Sequence, residues 1–235
     1  SECVWITHQS LKTMSMKDLF TQAELDQIKN AVAGAEERTS GEIVPYIVEK
    51  SDRYDVTLWR GASILAILAI CIAGVMYQFY EGWGAGWMYS GQGMALMVLG
   101  MGGVGALLGG FVPPVKRFLA GQELLARTVH HRAMRAFVEE EVFNTRDRTG
   151  ILLFISMLEH RIEVLGDEGI NRRVTADDWT DVVVKIRNGI KQKQVAKGLV
   201  DAIEICGQLL ERRGVEIQPD DSDELSNEVR FSDDT

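Results

Sequence analysis

Hydrophobic residues are concentrated in the middle of the chain, while polar and charged residues dominate the two flanks. Residues 58–80 and residues 93–112 form two apolar stretches of about twenty residues each, almost without charge. A helix rises about 1.5 Å per residue, so each stretch is long enough for the ~30 Å hydrocarbon layer of a bilayer. Aromatic side chains lie near the ends of both stretches, where headgroups favour them: Trp59, Tyr77, Tyr80, Trp83, Trp87 and Tyr89. This pattern predicts a transmembrane helical hairpin.

Apolar positions with helical or strand spacing occur on both sides of the predicted hairpin. Before it, Thr21 begins a capping-box pattern for a helix over residues 21–37, and "IVPYIVE" predicts a strand. Pro45 removes one backbone donor from this strand, which favours an edge position or a bulge. After the hairpin, residues 122–143 predict a helix, "GILLFIS" a strand covered on both faces, and "HRIEVLG" its antiparallel partner. Two more amphipathic helices follow, the first capped near Thr175.

One helix and one strand cannot bury a core, so the two flanks are expected to fold together. The element order predicts a small α/β sandwich that is interrupted by the two-helix transmembrane hairpin. The expected divisions are residues 1–17 as a disordered extension, 18–56 and 116–214 as the two parts of the domain, and 57–115 as the hairpin. Residues 215–235 are acidic and poor in apolar side chains, which predicts a disordered tail.

Charge and cysteine content narrow the functional classes. The net charge of −9, with no evident Lys/Arg-rich stripe, argues against nucleic-acid binding. The three cysteines are widely separated, which excludes a disulfide framework or a zinc spacing and suits a reducing compartment. Cations flank the hairpin but are absent from the loop between its spans. The positive-inside bias therefore predicts a two-pass protein of the cell (inner) membrane with both termini in the cytoplasm.

Small residues recur at four-residue spacing in the second apolar stretch, where they allow another helix backbone to approach closely. They are Gly102, Gly105, Ala106, Gly109 and Gly110. We expect the first span to be the nearest partner, and a second copy of the chain to be the next. The match of "GMGGVG" to a dinucleotide fingerprint is set aside, because no strand precedes it.

Two segments resemble the halves of a TPM domain, a family named after a thylakoid lumen protein, a photosystem II associated protein and a nematode receptor modulator. They are "FTQAELDQIKNAVAGAEERTSGEIVPYIVEKSD" and "RTGILLFISMLEHRIEVLGDEGI". In the second, residues 150–153 match the family's "nGvLl" motif, and Arg161, Ile162, Val164 and Gly169 match its following strand. The resemblance covers residues 20–52 and 122–210. It implies a Rossmann-like α/β fold, and it is similar to a subgroup classed as bacterial membrane proteins with two inserted transmembrane helices.

The resemblance also implies an enzyme hypothesis, because some TPM domains are credited with weak acid phosphatase activity and calcium binding. Asp167, Arg161 and Glu42 are then candidate catalytic residues, with Arg161 as the anion partner. Asp167 and Glu168 in "GDEG" are candidate ligands for calcium or another divalent cation, with Asp52 and Asp55 as further acidic candidates. A solvated turn is the simpler explanation of "GDEG", and no other cofactor is expected.

Three functions remain open at this point. The first is a membrane-anchored module that binds other membrane proteins, or copies of itself, in assembly or quality control of membrane complexes. The second is a weak phosphatase that depends on a divalent cation. No nucleophile elbow or phosphate-binding loop is evident, so this hypothesis is the less favoured. The third is a small pore or carrier, and the lack of charge within the spans argues against it.

Overall fold

The computed structural model describes residues 20–79, 86, 90–215 and 224–232. These residues fall into two compact units, of which the first, the sheet unit, runs up to Ser51 and resumes at Thr128. The second, the hairpin unit, comprises the residues from Asp52 to Arg127. The expected N-terminal extension, most of the loop between the apolar stretches and part of the acidic tail lie outside the described residues.

The elements follow in chain order. They are α1 (Gln22–Glu36), β1 (Glu42–Val48), α2 (Asp55–Phe79), α3 (Gly91–Phe111), α4 (Pro113–Ala120), α5 (Gln122–Glu139), β2 (Gly150–Ser156), β3 (Arg161–Gly166), α6 (Glu168–Asn171), a 3-10 turn (Ala176–Trp179), α7 (Thr180–Lys191), α8 (Val195–Arg212) and β4 (Arg230–Ser232). The predicted helix over residues 122–143 ends early, at Glu139. Turns follow it, and within them Glu141 and Arg148 have positive φ. The helix α4 was not predicted.

The sheet has four strands in the order β3-β2-β1-β4. β1 pairs in parallel with β2 and β4, while β2 and β3 form the predicted antiparallel hairpin. One face of the sheet packs against α1, α7 and α8, and the other face packs against α5. Every residue of β1 and β2 is buried, which explains why both strands read as continuous apolar runs. The fold is therefore α/β, with helices on both faces of the sheet.

Pro45, expected at an edge or a bulge, lies in an inner strand of the sheet, but β4 leaves that side of β1 unpaired at this position. The strand tolerates it because successive backbone N–H groups point to opposite neighbours. Glu42 donates its N–H to Thr149 O at 3.2 Å on the β2 side, so Ile43 and Pro45 face the other side. There the N–H of Ile43 reaches Glu36 Oε1 at 3.0 Å, and β4 pairs only with the residues after Pro45.

The prediction of a disordered acidic tail is wrong for residues 224–232, which we call the C-terminal strap. The strap runs beside β1 and ends in β4. Val229 and Phe231, two residues apart, pack against the core, and the Phe231 ring lies 5.7 Å from the Phe20 ring. Arg230 Nε is 2.8 Å from Glu140 Oε2. A few apolar side chains at strand spacing thus suffice to order a segment whose composition is polar.

Candidate functional site

Two of the acidic candidates, Glu42 and Asp167, lie at the same end of the sheet. Glu42 is opposite Gly150 in the β1–β2 register, and the backbone N–H of Asp167 donates to Gly150 O at 2.9 Å. The first residue of β2 therefore separates them. The carbonyl of Val142 covers this residue so closely that a Cβ on Gly150 would stand 1.8 Å from the Val142 oxygen. The sequence predicted both carboxylates as candidate site residues. In the structure they lie at one end of the sheet, on either side of Gly150.

The Glu42 carboxylate is buried and holds the C-terminal strap. Its Oε1 accepts the N–H of Glu224 at 3.3 Å, and its Oε2 accepts the N–H of Leu225 at 3.3 Å. The Glu224 carboxylate in turn accepts the N–H of Arg146, at 2.9 Å through Oε2. Hydrogen bonds from backbone N–H groups to a carboxylate are charge-assisted and stronger than those to a neutral acceptor. The role that this geometry gives to Glu42 is structural.

Asp167 caps the short helix α6 and forms an ion pair. Its Oδ1 accepts the N–H of Glu168 at 2.7 Å and Nη2 of Arg148 at 3.1 Å. Its Oδ2 lies 2.7 Å from Nε of Arg148, an ion-pair contact without hydrogen-bond alignment. The Glu168 carboxylate points to a different partner, the exposed Arg172. Among the described residues, no group of three or more His, Cys, Asp or Glu side chains is placed to hold a metal ion.

Arg161, the expected anion partner, lies far from these carboxylates. It is the first residue of β3 and pairs with Ser156 at the opposite end of the sheet, whereas Asp167 follows the last residue of β3. Asp52 and Asp55 belong to the hairpin unit, where Asp55 is the first residue of α2. The structure therefore does not bring Arg161 together with Asp167 or Glu42.

A buried polar network that the sequence did not predict lies at the end of the sheet where β1 and β2 finish. The Ser156 hydroxyl hydrogen-bonds to the Glu159 carboxylate and lies 2.9 Å from the Ser51 hydroxyl. The backbone N–H of Ser51 donates to Glu159 Oε1 at 2.9 Å. A serine next to a carboxylate resembles an activated nucleophile, but the Ser156 side chain is 0% exposed and no substrate can reach it. The network instead ties the end of β1 to the β2–β3 turn.

A second missed cluster surrounds Arg132, which is 9% exposed on α5. Its Nη1 donates to Glu139 at 3.0 Å, and its Nη2 donates to the Tyr46 hydroxyl at 2.9 Å and the Ser232 hydroxyl at 3.1 Å. The guanidinium carbon also lies 5.5 Å from the centre of the Tyr46 ring. A buried charge needs partners of this kind. Arg132 thus joins α5, β1 and the strap.

The small residues of the second apolar stretch face the first one within the hairpin unit. A Cβ on Gly105 would stand 2.1 Å from Gly61 O, and a Cβ on Gly109 would stand 2.4 Å from Thr57 O. The Thr57 hydroxyl donates to Gly109 O at 2.8 Å. Gly102 and Gly110 lie at ordinary contact distance from the same helix, and Ala106 is half-buried. The expected partner, the first span, therefore occupies this surface.

Two helices of the hairpin unit are long and apolar enough to cross a membrane. They are Asp55–Tyr77 and Gly91–Phe111. Of the 18 most apolar consecutive residues in each helix, only 17% and 11% are buried. Arg60, near the start of α2, donates through Nη1 to the carbonyls of Leu119 at 2.7 Å and Ala120 at 3.1 Å. It thereby satisfies carbonyl groups that the end of α4 would leave open.

A family model described as the TPM domain matches residues 120–209. The chain contains a TPM domain. The match includes α5, β2, β3, α6, α7 and most of α8. In the structure, β1 and β4 complete the sheet of this TPM domain, although neither lies in the matched residues.

The fold is also similar to a solved structure, the NMR structure of the BA42 protein from the psychrophilic bacterium Bizionia argentinensis. The TM-score is 0.56 at 21% sequence identity, and the alignment covers 92% of this chain and 98% of that one. At this identity the likeness shows the fold alone. A search of curated proteins found no match to this chain.

Proposed function

We propose that this chain is a membrane-anchored TPM module that binds other membrane proteins in the assembly or quality control of their complexes. The exposed apolar surface of α2 and α3 carries the proposal, because a core helix of a water-soluble domain would be mostly buried. Each Å² of apolar surface moved out of water contributes about 25 cal/mol, and a bilayer provides the matching environment. The even number of spans keeps both segments of the sheet unit on one side.

Cations at one end of the hairpin unit support a cytoplasmic sheet unit. Lys116 Nζ donates to Arg53 O at 3.1 Å, and Arg60 caps α4 close by, so three positive charges gather where the two helices begin and end. Short loops rich in Lys and Arg stay in the cytoplasm. The proposed location is therefore the inner membrane, crossed twice, with both termini inside.

Binding is favoured over catalysis because the candidate catalytic carboxylates are already engaged. Glu42 receives two N–H groups from the strap, and Asp167 is paired with Arg148. A general acid or base must reach the proton that it transfers. Neither carboxylate reaches a substrate without first releasing its partner, so the weak phosphatase is the alternative to be tested.

Cysteine labelling tests the topology. In a Cys3→Ser background, an impermeant maleimide should label Gly86→Cys from outside intact spheroplasts, but should label Glu37→Cys and Glu211→Cys only after lysis. Cys206 should not react with the maleimide in the folded chain, because complete burial raises the pKa of its thiol to about 12. Labelling of Glu37→Cys and Glu211→Cys from opposite sides of the membrane would refute the proposal.

Activity assays separate the binding module from the phosphatase. The purified full chain should hydrolyse an aryl phosphate no faster than the Asp167→Asn variant, with or without calcium or magnesium, and Glu168→Gln is the matched control. A divalent-dependent activity that Asp167→Asn abolishes and Glu168→Gln retains would establish the enzyme. Cross-linking in native membranes then identifies the bound proteins.

A further inference from the structure

A cluster of basic side chains, which we call the basic turn, occupies the second half of α7, the turn after it and the start of α8. Its members are Lys185, Arg187, Lys191, Lys193 and Lys197. All five are exposed, and no acidic residue lies between Asp181 and Asp201 in the sequence. The expectation that the chain lacks a Lys/Arg-rich segment was therefore wrong, because the net charge of −9 conceals a local excess of positive charge.

Little of this charge is neutralised within the sheet unit. Lys185 Nζ lies 3.9 Å from Asp201 Oδ2, at the limit of an ion pair. No acidic side chain in the described part of the chain pairs with the other four cations. Exposed like charges within two helical turns repel one another, so they favour an external anion.

Contacts within the sheet unit place the basic turn at the end where β1 leaves the sheet. The last turns of α8 lie at the start of β1, because Leu210 would stand 2.6 Å from a Cβ on Gly41. Arg213, after α8, pairs with Asp178, just before α7, so the two helices form an antiparallel pair. The 18 residues of α8 extend about 27 Å. The α7–α8 turn consequently lies at the opposite end of the sheet, with Val48 and Ser51.

A groove between the outer faces of α7 and α8 begins at this turn. Gly189 and Gly198 bring the helices together, since a Cβ on either would stand 2.7 Å from the other's Cα. The groove has a volume of about 540 Å³, and its charged lining consists of the cations Lys185, Lys197 and Arg212 and the carboxylates Asp181 and Asp201. Side-chain amides of Asn188, Gln192 and Gln194 also line it. The three cations and the neutral donors outnumber the two carboxylates, so the groove suits a phosphate group that carries a polar substituent.

We propose that the basic turn binds anionic phospholipid headgroups at the surface of the membrane that α2 and α3 cross. The proposal rests on the proposed function, because it requires that those helices span a bilayer. Along the chain, only residues 52–54 separate Ser51 from α2. A cation held near an anionic leaflet gains about a fivefold preference per charge. A long nucleic acid would meet the negative charge of the remaining surface.

Lysine acylation of the full chain in nanodiscs tests the proposal. Acylation of Lys191, Lys193 and Lys197, located by mass spectrometry, should be about fivefold slower with 30% anionic lipid than in purely zwitterionic nanodiscs. The protection should disappear in about 0.5 M salt, because the Debye length then falls to a few Å. Lys29 on α1, which is paired with Glu228 of the C-terminal strap, serves as the internal control and should not change.

Two matched variants locate the effect. Lys191→Gln with Lys193→Gln should abolish the protection of Lys197, whereas Arg172→Gln with Arg173→Gln removes the same charge near α6 and should preserve it. Equal acylation in both lipid mixtures would overturn the proposal, as would protection by added RNA or by inorganic phosphate in zwitterionic nanodiscs. Failure of the chain to enter zwitterionic nanodiscs would instead refute the membrane-spanning function, so the two failures are distinguishable.

Discussion

Replacing Gly150 with alanine tests the close packing at the acidic end of the sheet. A Cβ there would stand 1.8 Å from Val142 O and 2.9 Å from Val142 Cγ1, whereas ordinary contact begins at 3.4 Å. Both neighbours belong to the turn after α5, and the clash with the oxygen involves backbone. The side chain cannot rotate away, so the turn or β2 must move by more than about 1 Å.

The cost of this movement sets the expected result. Overpacking a well-packed site costs about 1–3 kcal/mol, and the lower chain entropy of alanine in the unfolded state returns about 0.5–1 kcal/mol. The net destabilisation of Gly150→Ala is then about 0.5–2 kcal/mol. With a slope of about 4 kcal/mol per M of guanidinium chloride for a domain of this size, the unfolding midpoint should fall by about 0.1–0.5 M.

Cys206 provides the assay, because its thiol is 0% exposed and reacts only when the sheet unit opens. A maleimide pulse at each denaturant concentration, with the labelled site read by mass spectrometry, gives the unfolding curve of the full chain. Gly34→Ala is the matched control, because nothing lies within 4 Å of its added Cβ. It should raise the midpoint by about 0.1–0.2 M. A midpoint for Gly150→Ala at or above that of the unaltered chain would refute the close approach of Val142.

Three further predictions concern other parts of the molecule. Gly105→Ala should separate the two apolar helices by more than about 1 Å in spin-label distance measurements, whereas Gly103→Ala, with no neighbour within 4 Å, should not. Arg60→Gln should speed amide exchange in the last turn of α4 by about tenfold, and Arg60→Lys by less, because the guanidinium supplies two hydrogen bonds. Equal exchange in all three proteins would contradict that role. Asp178 has its pKa lowered from 3.8 to about 2, chiefly by the backbone N–H of Thr175, so its stabilisation is complete above pH ~4 and is lost as the pH falls through about 2. Asp178→Asn should therefore flatten the dependence of the unfolding midpoint on pH between about 5 and 2, and an unaltered profile would contradict this.

Local patterns were enough to predict the elements that depend on their own sequence. The capping box of Thr21 and Glu24 forms as predicted, with the N–H of Glu24 donating to the Thr21 hydroxyl at 3.3 Å. The apolar stretches become the two long helices, and "GILLFIS" becomes β2. Each of these features is set by residue spacing within one segment, and that spacing is visible in a single sequence.

Features that depend on distant partners could not be predicted in the same way. The Glu42 carboxylate meets residues that follow it by 182 and 183 positions, and Ser51 meets Ser156 across 105 positions. β4 lies in a segment whose polar composition favours disorder, and it is ordered by the neighbouring strand. Arg132 interrupts an otherwise apolar helix face, which is a visible signal, but the sequence does not reveal its partners. Glu42 and Asp167 became candidates through the family resemblance alone, and their common end of the sheet depends on strand register that the sequence does not reveal.

The hydrogen bond between Thr57 and Gly109, which joins α2 to α3, affects how the sheet is assembled. β1 must find β2 across about a hundred intervening residues, and the entropy lost on closing such a loop grows with its length. Once α2 and α3 have paired, the Thr57–Gly109 hydrogen bond shortens the effective loop between β1 and β2 by about half. Each halving of a loop lowers its closure cost by about 0.6 kcal/mol. In the proposed membrane-anchored form, early insertion of the hairpin during synthesis would therefore make the later parallel pairing easier, and the bilayer would then assist folding of the sheet unit.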